Sequence, residues 1–233
     1  MGSSRLPGKV LLVSNRMTML ELMVKRVSKV FDIKKIVIAT STNPLDDAIM
    51  KESQRIGVSC FRGSESDVQS RVLGAAVEHK AKTLIALTGD CPLIDPKLIK
   101  DAIETFEKSD VDYLSNALLR SYPDGMDTQV LRVESLRKSS KMTTDAYERE
   151  HVTLHMYRHP EIFKLMNIEA PLSSKWPTLG LTLDEKEDFV LIDKIISFFY
   201  PRIDFDLSEI ISFLRHNPGL IEINKRIIRT ENK

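Results

Sequence analysis

The stretch Thr83-Leu-Ile-Ala-Leu-Thr-Gly-Asp-Cys-Pro-Leu-Ile-Asp-Pro96 decides the fold class of this chain. A continuous apolar run over residues 83–88 ends in Gly89 and Asp90, and Pro96 then opens a helical pattern. An apolar run without alternation is typical of a strand that is covered on both faces. Ligands of open α/β sheets bind at the carboxyl ends of such strands. The stretch therefore predicts a buried strand that carries Asp90 to a ligand-binding edge.

The rest of the chain extends this pattern in both directions. In the first half we predict further strands at 35–40, 58–62 and 111–115, and helices at 19–30, 43–57, 67–80 and 96–108. Strands that alternate with helices pair in parallel and form an α/β fold. The second half is less regular, with predicted strands at 127–133, 163–168 and 179–183 and helices at 147–158, 185–199 and 207–214. We therefore expect one domain, residues 1–233, with a strand-containing insertion over residues 117–178.

The charges of the chain nearly cancel, with 34 Lys and Arg residues against 33 Asp and Glu residues. Such a balance lacks the basic surface typical of nucleic-acid binding, so we expect no nucleic-acid partner. The N-terminus has no signal-peptide pattern, and no apolar run has the length that a bilayer requires. Cys60 and Cys91 lie far apart in apolar stretches, which is typical of reduced cysteines. We expect a cytoplasmic protein with no membrane partner.

The N-terminal stretch Gly2-Ser-Ser-Arg-Leu-Pro-Gly-Lys9 has the composition of a phosphate-binding loop. Its glycines and the hydroxyls of Ser3 and Ser4 offer hydrogen-bond donors, and Arg5 and Lys9 add positive charge. The spacing of a Walker P-loop is absent. A flexible charged tail would have the same composition, so both interpretations stay open at this point.

Two acidic residues at strand ends are candidate metal ligands. Asp90 follows the strand at 83–88, and Asp184 follows the short run at 179–183. Mg²⁺ favours one or two carboxylates together with phosphate oxygens, which suits such a pair. The alternatives are a turn residue for Asp90 and a helix N-cap for Asp184. We predict that Asp95 caps the helix at Pro96 and that Asp188 is a helix-face charge near the positive end of the dipole of the following helix.

Six ordered motifs carry a resemblance over nearly the whole chain. They are Met1-Gly-Ser-Ser-Arg-Leu-Pro-Gly-Lys9, Phe61-Arg-Gly63 with Ser66-Asp-Val68, Thr88-Gly-Asp-Cys-Pro-Leu-Ile-Asp95, Tyr122-Pro-Asp-Gly125, Arg149-Glu-His-Val-Thr153 and Leu181-Thr-Leu-Asp184. Together they resemble the spore-coat polysaccharide biosynthesis family of cytidylyltransferases, which are relatives of the CMP-sialic acid and CMP-Kdo synthetases. The resemblance implies a Rossmann-like three-layer nucleotidyltransferase sandwich with a mostly parallel sheet and a dimerisation insertion. It also implies a homodimer that uses CTP, a sugar and Mg²⁺.

The resemblance also implies roles for individual residues. The loop would bind the triphosphate through Ser3 and Ser4, with Arg5 and Lys9 as the catalytic charge clamp. The remaining roles are nucleotide binding for Arg71, Thr88 and Asp90, metal binding for Asp90 and Asp184, and sugar binding for Tyr122, Asp124, Arg149 and His151. His151 is also a possible general base, although a residue that hydrogen-bonds on a helix face would have the same sequence context.

One departure from the family pattern concerns the first strand. Relatives carry an apolar strand before the glycine-serine loop, and here the loop begins the sequence. We expect unpaired strand edges in the middle of the sheet, which a strand encoded upstream of Met1 would fill. Two other functions stay open. They are a glycosyltransferase of related fold that uses a nucleotide sugar, and a truncated homologue without catalytic activity.

Overall fold

The computed structural model describes residues 1–3 and 5–229 of the chain. The strands are β1 (Val13–Ser14), β2 (Met17–Thr18), β3 (Val37–Ser41), β4 (Ser59–Gly63), β5 (Thr83–Ala86), β6 (Tyr113–Ser115), β7 (Gln129–Arg132) and β8 (Leu165–Asn167). The α-helices are α1 (Met19–Val27), α2 (Asp47–Ile56), α3 (Val68–Glu78), α4 (Pro96–Glu107), α5 (Val133–Met142), α6 (Ala146–Glu150), α7 (Leu154–Arg158), α8 (Lys186–Phe199), α9 (Leu207–His216) and α10 (Pro218–Ile221). Short 3₁₀ turns form at Lys9–Leu11, Ile33–Lys35 and Pro44–Asp46.

The helix ends follow from local side-chain chemistry. Asp95 accepts a hydrogen bond from the backbone N–H of Lys97, and Pro96 occupies the first turn of α4, as predicted. Asp67 caps α3 by accepting from the N–H of Ser70. Gly57 ends α2 in the left-handed conformation, with φ 76°. These signals fix the helices that flank the strands of the first half.

The strands form an α/β fold with a mixed sheet. β3 and β4 pair in parallel, and the larger sheet has the order β5-β7-β6-β8. β7 is antiparallel to both β5 and β6, whereas β8 is parallel to β6. Three strands of the larger sheet therefore run in one direction and β7 alone runs against them. Both β7 and β8 come from the range 117–178, so strands of this range belong to the main sheet.

In the described part of the chain, the β3–β4 sheet and the four-stranded sheet are joined by side-chain packing and not by strand pairing. Within the described residues, neither the outer edge of β3 nor that of β5 is paired with another strand. Apolar layers connect the sheets on both faces. On one face, Met23 and Val27 of α1 share a cluster with Ile36, Ile85 and Leu87. On the other face, Val72 and Leu73 of α3 pack with Leu84 and Ala86 of β5, while Gly74 of the same helix lies against Phe61 of β4.

Two predictions of local structure were wrong in detail, and two elements were not predicted. The run 179–183 is not a strand, because it makes a single bridge between Gly180 and Asp124. The predicted helix 147–158 is broken into α6 and α7 at Val152, which has φ 50°. Helix α5 was not predicted. The loop before α1 holds an unpredicted hairpin, β1–β2, whose turn residues Asn15 and Arg16 have positive φ.

The largest core cluster is built mainly from α8, α9 and the run that precedes them. It joins α8, through Leu191, Ile192, Ile195 and Ile196, and α9, through Leu207, Ile210, Ile211 and Leu214, to Leu179, Leu181 and Leu183. Burial of each such side chain contributes about 1.5–3 kcal/mol to stability. This packing fixes the run that ends at Asp184. None of the helices in the described part of the chain has both the length and the apolar character needed to cross a membrane.

Candidate active site

The N-terminal loop crosses the carboxyl ends of the strands. At one end the backbone nitrogen of Met1 lies 2.6 Å from Oδ1 of Asp46, and the Oδ2 of that carboxylate accepts from the hydroxyl of Ser41 at the end of β3. At the other end the loop turns at Gly8, with φ 69°, into the 3₁₀ turn that begins at Lys9. The loop therefore spans the two unpaired sheet edges at the side where α/β folds bind ligands.

Lys9 brings together the two predicted metal ligands. Its Nζ donates to Oδ2 of Asp90 at 2.8 Å and to Oδ1 of Asp184 at 2.9 Å. The two carboxylates, which come from distant parts of the sequence, therefore converge on one cation. The two predicted ligands therefore lie side by side, and metal binding by them stays a prediction.

The shared contact changes the proton affinity of its members. Burial lowers the pKa of the Lys9 ammonium, but the charges of Asp90 and Asp184 and the hydrogen bonds to them raise it more, so the net shift is upward. Burial raises the pKa of Asp90, but the charge and hydrogen bond of Lys9 lower it more, so the net shift is downward. Both groups are therefore charged near neutral pH. Burial raises the pKa of Cys91 well above its ordinary value, so this neighbour is a neutral thiol.

Backbone contacts hold Asp184 beside Asp90. The N–H of Leu183 donates to the carbonyl oxygen of Asp90 at 2.8 Å. The alternative that Asp184 is a helix N-cap does not hold, because Glu185 occupies the cap position of α8. The Asp184 carboxylate is therefore free to contact Lys9. Asp188 lies in the first turn of α8, near the positive end of the helix dipole as predicted, but it is fully buried and its Oδ2 accepts from the N–H groups of Asp184 and Glu185.

Other phosphate-site candidates lie around this loop. Arg5 is half-exposed and its guanidinium lies 3.4 Å from both Asp184 and Glu185. The Oγ of Ser3 accepts from the N–H of Leu6, which stabilises the turn of the loop. Ser4 lies outside the described residues. An Arg5 side chain with one face in solvent can reach a phosphate that approaches the loop.

Thr88 follows β5, and the side chain of Arg71, which belongs to α3, lies over the end of β4. The Oγ1 of Thr88 is 3.1 Å from Sγ of Cys91, and its hydrogen bond also helps to lower the pKa of Asp90. Arg71 packs over Gly63, and its Nη1 donates to the carbonyl of Ser64. Burial lowers the pKa of Arg71, and its Nε has no partner among the described residues. Arg71 thus lies at the β4 end, at the opposite side of the loop from Asp90.

The predicted sugar-binding residues separate into two groups. Tyr122 is buried in the largest core cluster with Leu6 and Leu181. Asp124 lies on the same loop, and Leu181 donates its N–H to the carbonyl oxygen of Asp124 at 2.7 Å. Burial raises the pKa of Asp124, and the charge of Asp184 contributes to the same direction. Asp124 therefore borders the carboxylate site, whereas Tyr122 is packed in the apolar core.

Arg149 and His151 occupy a different place. Arg149 donates to Oδ2 of Asp67 through Nε at 2.8 Å, and its Nη1 donates to the carbonyls of Ser140 and Thr143. These contacts tie α6 to the start of α3. His151 is exposed, and its ring lies edge-on to Tyr147 with centroids 4.3 Å apart. We therefore assign neither residue to the carboxylate site.

A second group of potential metal ligands lies on α6 and α7. Glu148, His155 and His159 each offer a ligand atom within 4.8 Å of the others. Glu148 accepts from Thr143 and pairs with Nδ1 of His155 at 2.7 Å, and Arg158 lies 3.6 Å from its other oxygen. The carboxylate thus already has protein partners, and the group links the two short helices across their break.

Several residues near the site were missed by the sequence analysis. Arg120 forms a two-bonded pair with Asp127, at 2.8 and 2.9 Å, and lies 3.5 Å from Asp124. Arg229 contacts both Asp124 and Asp188. The spacing of Asp184 and Asp188, one helical turn apart, was a signal that could have indicated a shared role. No local signal marks Arg229, because its partners are distant in sequence.

Comparison of the sequence with known proteins shows the family to which the chain belongs. The sequence profile of a family described as cytidylyltransferase matches residues 1–205. The spore coat polysaccharide biosynthesis protein SpsF of Bacillus subtilis is 36% identical over 228 residues, which cover 94% of this chain and 92% of that protein.

Solved structures show the same relationship. A cytidylyltransferase from Leptospira borgpetersenii superimposes with a TM-score of 0.91 at 29% identity, over 99% of this chain and 95% of that chain. A structure of CMP:2-keto-3-deoxy-manno-octonic acid synthetase complexed with CTP shares the fold, with a TM-score of 0.64 at 16% identity over 84% of this chain and 95% of that chain. The chain therefore has the Rossmann-like nucleotidyltransferase fold and belongs to the cytidylyltransferase family.

Proposed function

We propose that this chain transfers CMP from CTP to a hydroxyl group of a sugar and releases pyrophosphate, which activates the sugar for surface polysaccharide synthesis. The names of two similar proteins support this choice, since one acts in spore coat polysaccharide biosynthesis and the other is a CMP-sugar-acid synthetase with CTP bound. The single observation that carries the proposal is the convergence of Asp90, Asp184 and Lys9 beside the N-terminal loop.

Two parts of the site would bind the two substrates. The loop would bind the triphosphate with its backbone N–H groups and with the positive charges of Arg5 and Lys9. Asp124 would border the sugar. Asp124 lies on the loop that contacts the run ending at Asp184, so an acceptor beside Asp124 would lie close to the carboxylates.

In the reaction, an oxygen of the sugar hydroxyl forms a bond to the α-phosphorus of CTP. The bond between that phosphorus and the bridging oxygen breaks, pyrophosphate leaves and the hydroxyl proton passes to solvent. Such transfers depend mainly on alignment of the reactants and on neutralisation of the phosphate oxygens. Arg5 and Lys9 would stabilise the leaving pyrophosphate. The Lys9 ammonium, now shared by two carboxylates, is the cation that would move to the phosphates when CTP binds.

Asp90 and Asp184 would also hold a Mg²⁺ ion. Two carboxylates that converge on one cation fit the oxygen donors that this ion prefers, together with phosphate oxygens and water. When bound, the ion supplies positive charge to the phosphate oxygens.

We further propose that two copies of the chain form a homodimer through the surface of residues 117–178 and the adjacent helices. Large apolar side chains are exposed there, with Leu119 68% and Leu172 90% accessible. Exposed apolar groups of this size favour burial against a partner. Light scattering coupled to size-exclusion chromatography would give twice the chain mass, and a monomer mass would contradict the proposal.

The function is tested by product analysis. The protein is incubated with CTP, Mg²⁺ and a panel of sugars, including sugar acids, and pyrophosphate release is followed together with the mass of the nucleotide product. We expect pyrophosphate and a CMP-sugar, with CTP preferred to ATP, GTP and UTP. Release of a nucleoside diphosphate from a nucleotide sugar would instead indicate a glycosyltransferase. The absence of CTP binding by calorimetry would indicate a homologue without catalytic activity.

A further inference from the structure

The last described residues of the chain lie against the carboxylate site. The C-terminal segment, which we define as residues 222–229, lines a cavity of about 530 Å³ together with Arg5 and Glu185. Arg5 pairs with Asp184 as well, so the cavity adjoins the carboxylates. Asn224 of this segment is buried and donates to the carbonyl oxygen of Gly180 at 2.9 Å. The segment is thus fastened to the run that leads to Asp184.

A buried carboxylate connects this segment to Asp184. Asp188 has no exposed surface, and its Oδ2 accepts from the N–H of Asp184 at 3.0 Å and of Glu185 at 2.9 Å. Its Oδ1 accepts from Arg229 at 2.6 Å and from Asn224 at 2.8 Å. The Asp188 carboxylate therefore accepts from the backbone of Asp184 and Glu185 on one oxygen and from the C-terminal segment on the other.

The buried Asp188 carboxylate is held by hydrogen bonds on both oxygens and by an ion pair. An isolated buried carboxylate is costly, and a paired one is tolerated when its oxygens are also hydrogen-bonded. Among the described residues, Arg229 is the one cation that forms an ion pair with Asp188. Loss of Arg229 would weaken the acceptor that holds the N–H of Asp184.

Gly180 provides the space that Arg229 occupies. A Cβ built on Gly180 would lie 2.0 Å from Nη2 of Arg229 and 2.1 Å from its Cζ, so the guanidinium rests directly on the glycine. The Nη1 of the same group is 3.7 Å from Oδ2 of Asp124. A methyl group at position 180 would therefore displace the Arg229 side chain. This substitution changes no charged residue, so it tests the position of Arg229 and not the presence of its charge.

We infer that Arg229 is a positioning residue of the active site, which fixes Asp184 through Asp188 and makes the C-terminal segment part of the catalytic unit. The catalytic meaning of this inference rests on the proposed cytidylyl transfer. The positioning itself is a property of the folded chain, so it is measured without substrate.

The first test is amide hydrogen exchange of the full chain, read at Asp184 and Glu185. In Arg229→Gln and in Gly180→Ala we expect exchange at these two amides to be about tenfold faster, because the Asp188 acceptor is weakened. Lys225→Gln, on the same segment but exposed and paired with Glu222, is the matched control and leaves the exchange unchanged. Wild-type exchange at both amides in both variants would overturn the inference.

The second test separates positioning from general stability. With the sugar that releases pyrophosphate, Arg229→Gln and Gly180→Ala lower kcat about tenfold or more with a smaller change in KM for CTP, since alignment of the reacting groups is lost. Arg229→Lys restores part of kcat, and the Gly180→Ala, Arg229→Gln double variant is no slower than either single one. If the wild-type enzyme is active and both variants keep its full kcat, the role of Arg229 in catalysis is contradicted. A wild-type chain with no activity contradicts the proposed function, and the exchange result still decides the positioning.

Discussion

Nζ of Lys9 donates to Oδ2 of Asp90 at 2.8 Å across 81 positions of sequence, so the N-terminal loop and the end of β5 form one site. We predict that Lys9→Met lowers kcat/KM for CTP about 100- to 1000-fold, because a positive charge on the phosphates is lost. Lys51→Met, an exposed lysine of α2, is the control and keeps the wild-type value. Steady-state pyrophosphate release measures both. A Lys9→Met enzyme with wild-type kcat/KM would show that Lys9 does not contact the triphosphate.

Arg26 is predicted to be the most important buried charge for stability. Its guanidinium has no exposed surface and donates to the carbonyls of Leu93 and Ile94, after β5, and to those of Ile203 and Phe205, before α9. Burial lowers the pKa of Arg26 to about 10.

Arg26→Met should lower the free energy of unfolding by about 3 kcal/mol, since four carbonyl groups lose their donor. Lys29→Met, an exposed lysine one turn later, should change it by less than about 0.5 kcal/mol. Chemical denaturation of the two variants gives both values. Equal stability of the two variants would contradict the role of Arg26.

The Asp67–Arg149 pair gives a pH-dependent prediction. Burial raises the pKa of Asp67, but the hydrogen bond and charge of Arg149 and the N–H of Ser70 lower it more, so the folded pKa is below the ordinary value. A depressed carboxyl pKa contributes stability above the unfolded pKa of about 4, and this contribution is lost as pH falls through the folded pKa.

Asp67→Asn should therefore destabilise the protein by about 1–2 kcal/mol near neutral pH, and the difference from wild type should shrink below about pH 4. The asparagine keeps the oxygen that accepts from Ser70, so the substitution removes the charge and the acceptor that face Arg149 and spares the helix cap. In an Arg149→Gln background the same substitution should have little effect. Denaturation curves as a function of pH measure the difference, and one that is constant with pH would contradict the pairing.

The carboxylate pair could be predicted from sequence because each member follows an apolar run. The ends of neighbouring runs in an α/β fold meet at one edge, and Asp90 and Asp184 do so. The α/β class followed from the alternation of strands and helices in residues 35–115. The capping role of Asp95 followed from its position before Pro96.

Other features depend on contacts that local patterns do not contain. Asp188 has the sequence context of a helix-face charge, and its burial depends on Arg229, which is 41 residues away. The direction of β7 depends on its pairing with β5 and β6 on both sides. Arg149 was assigned to the sugar pocket from its motif, whereas the fold brings it to Asp67. In each case the observed contact joins residues that are distant in sequence.

The most direct test of the central claim is the rate of pyrophosphate release from CTP and the active sugar by Asp90→Asn and Asp184→Asn. Both substitutions keep the size of the side chain and remove the charge that converges on Lys9. We predict that each lowers kcat at least about 100-fold. The circular dichroism spectrum and the free energy of unfolding without CTP stay close to the wild-type values. A full wild-type rate in either variant would contradict the account, because the reaction would then proceed without the paired carboxylates.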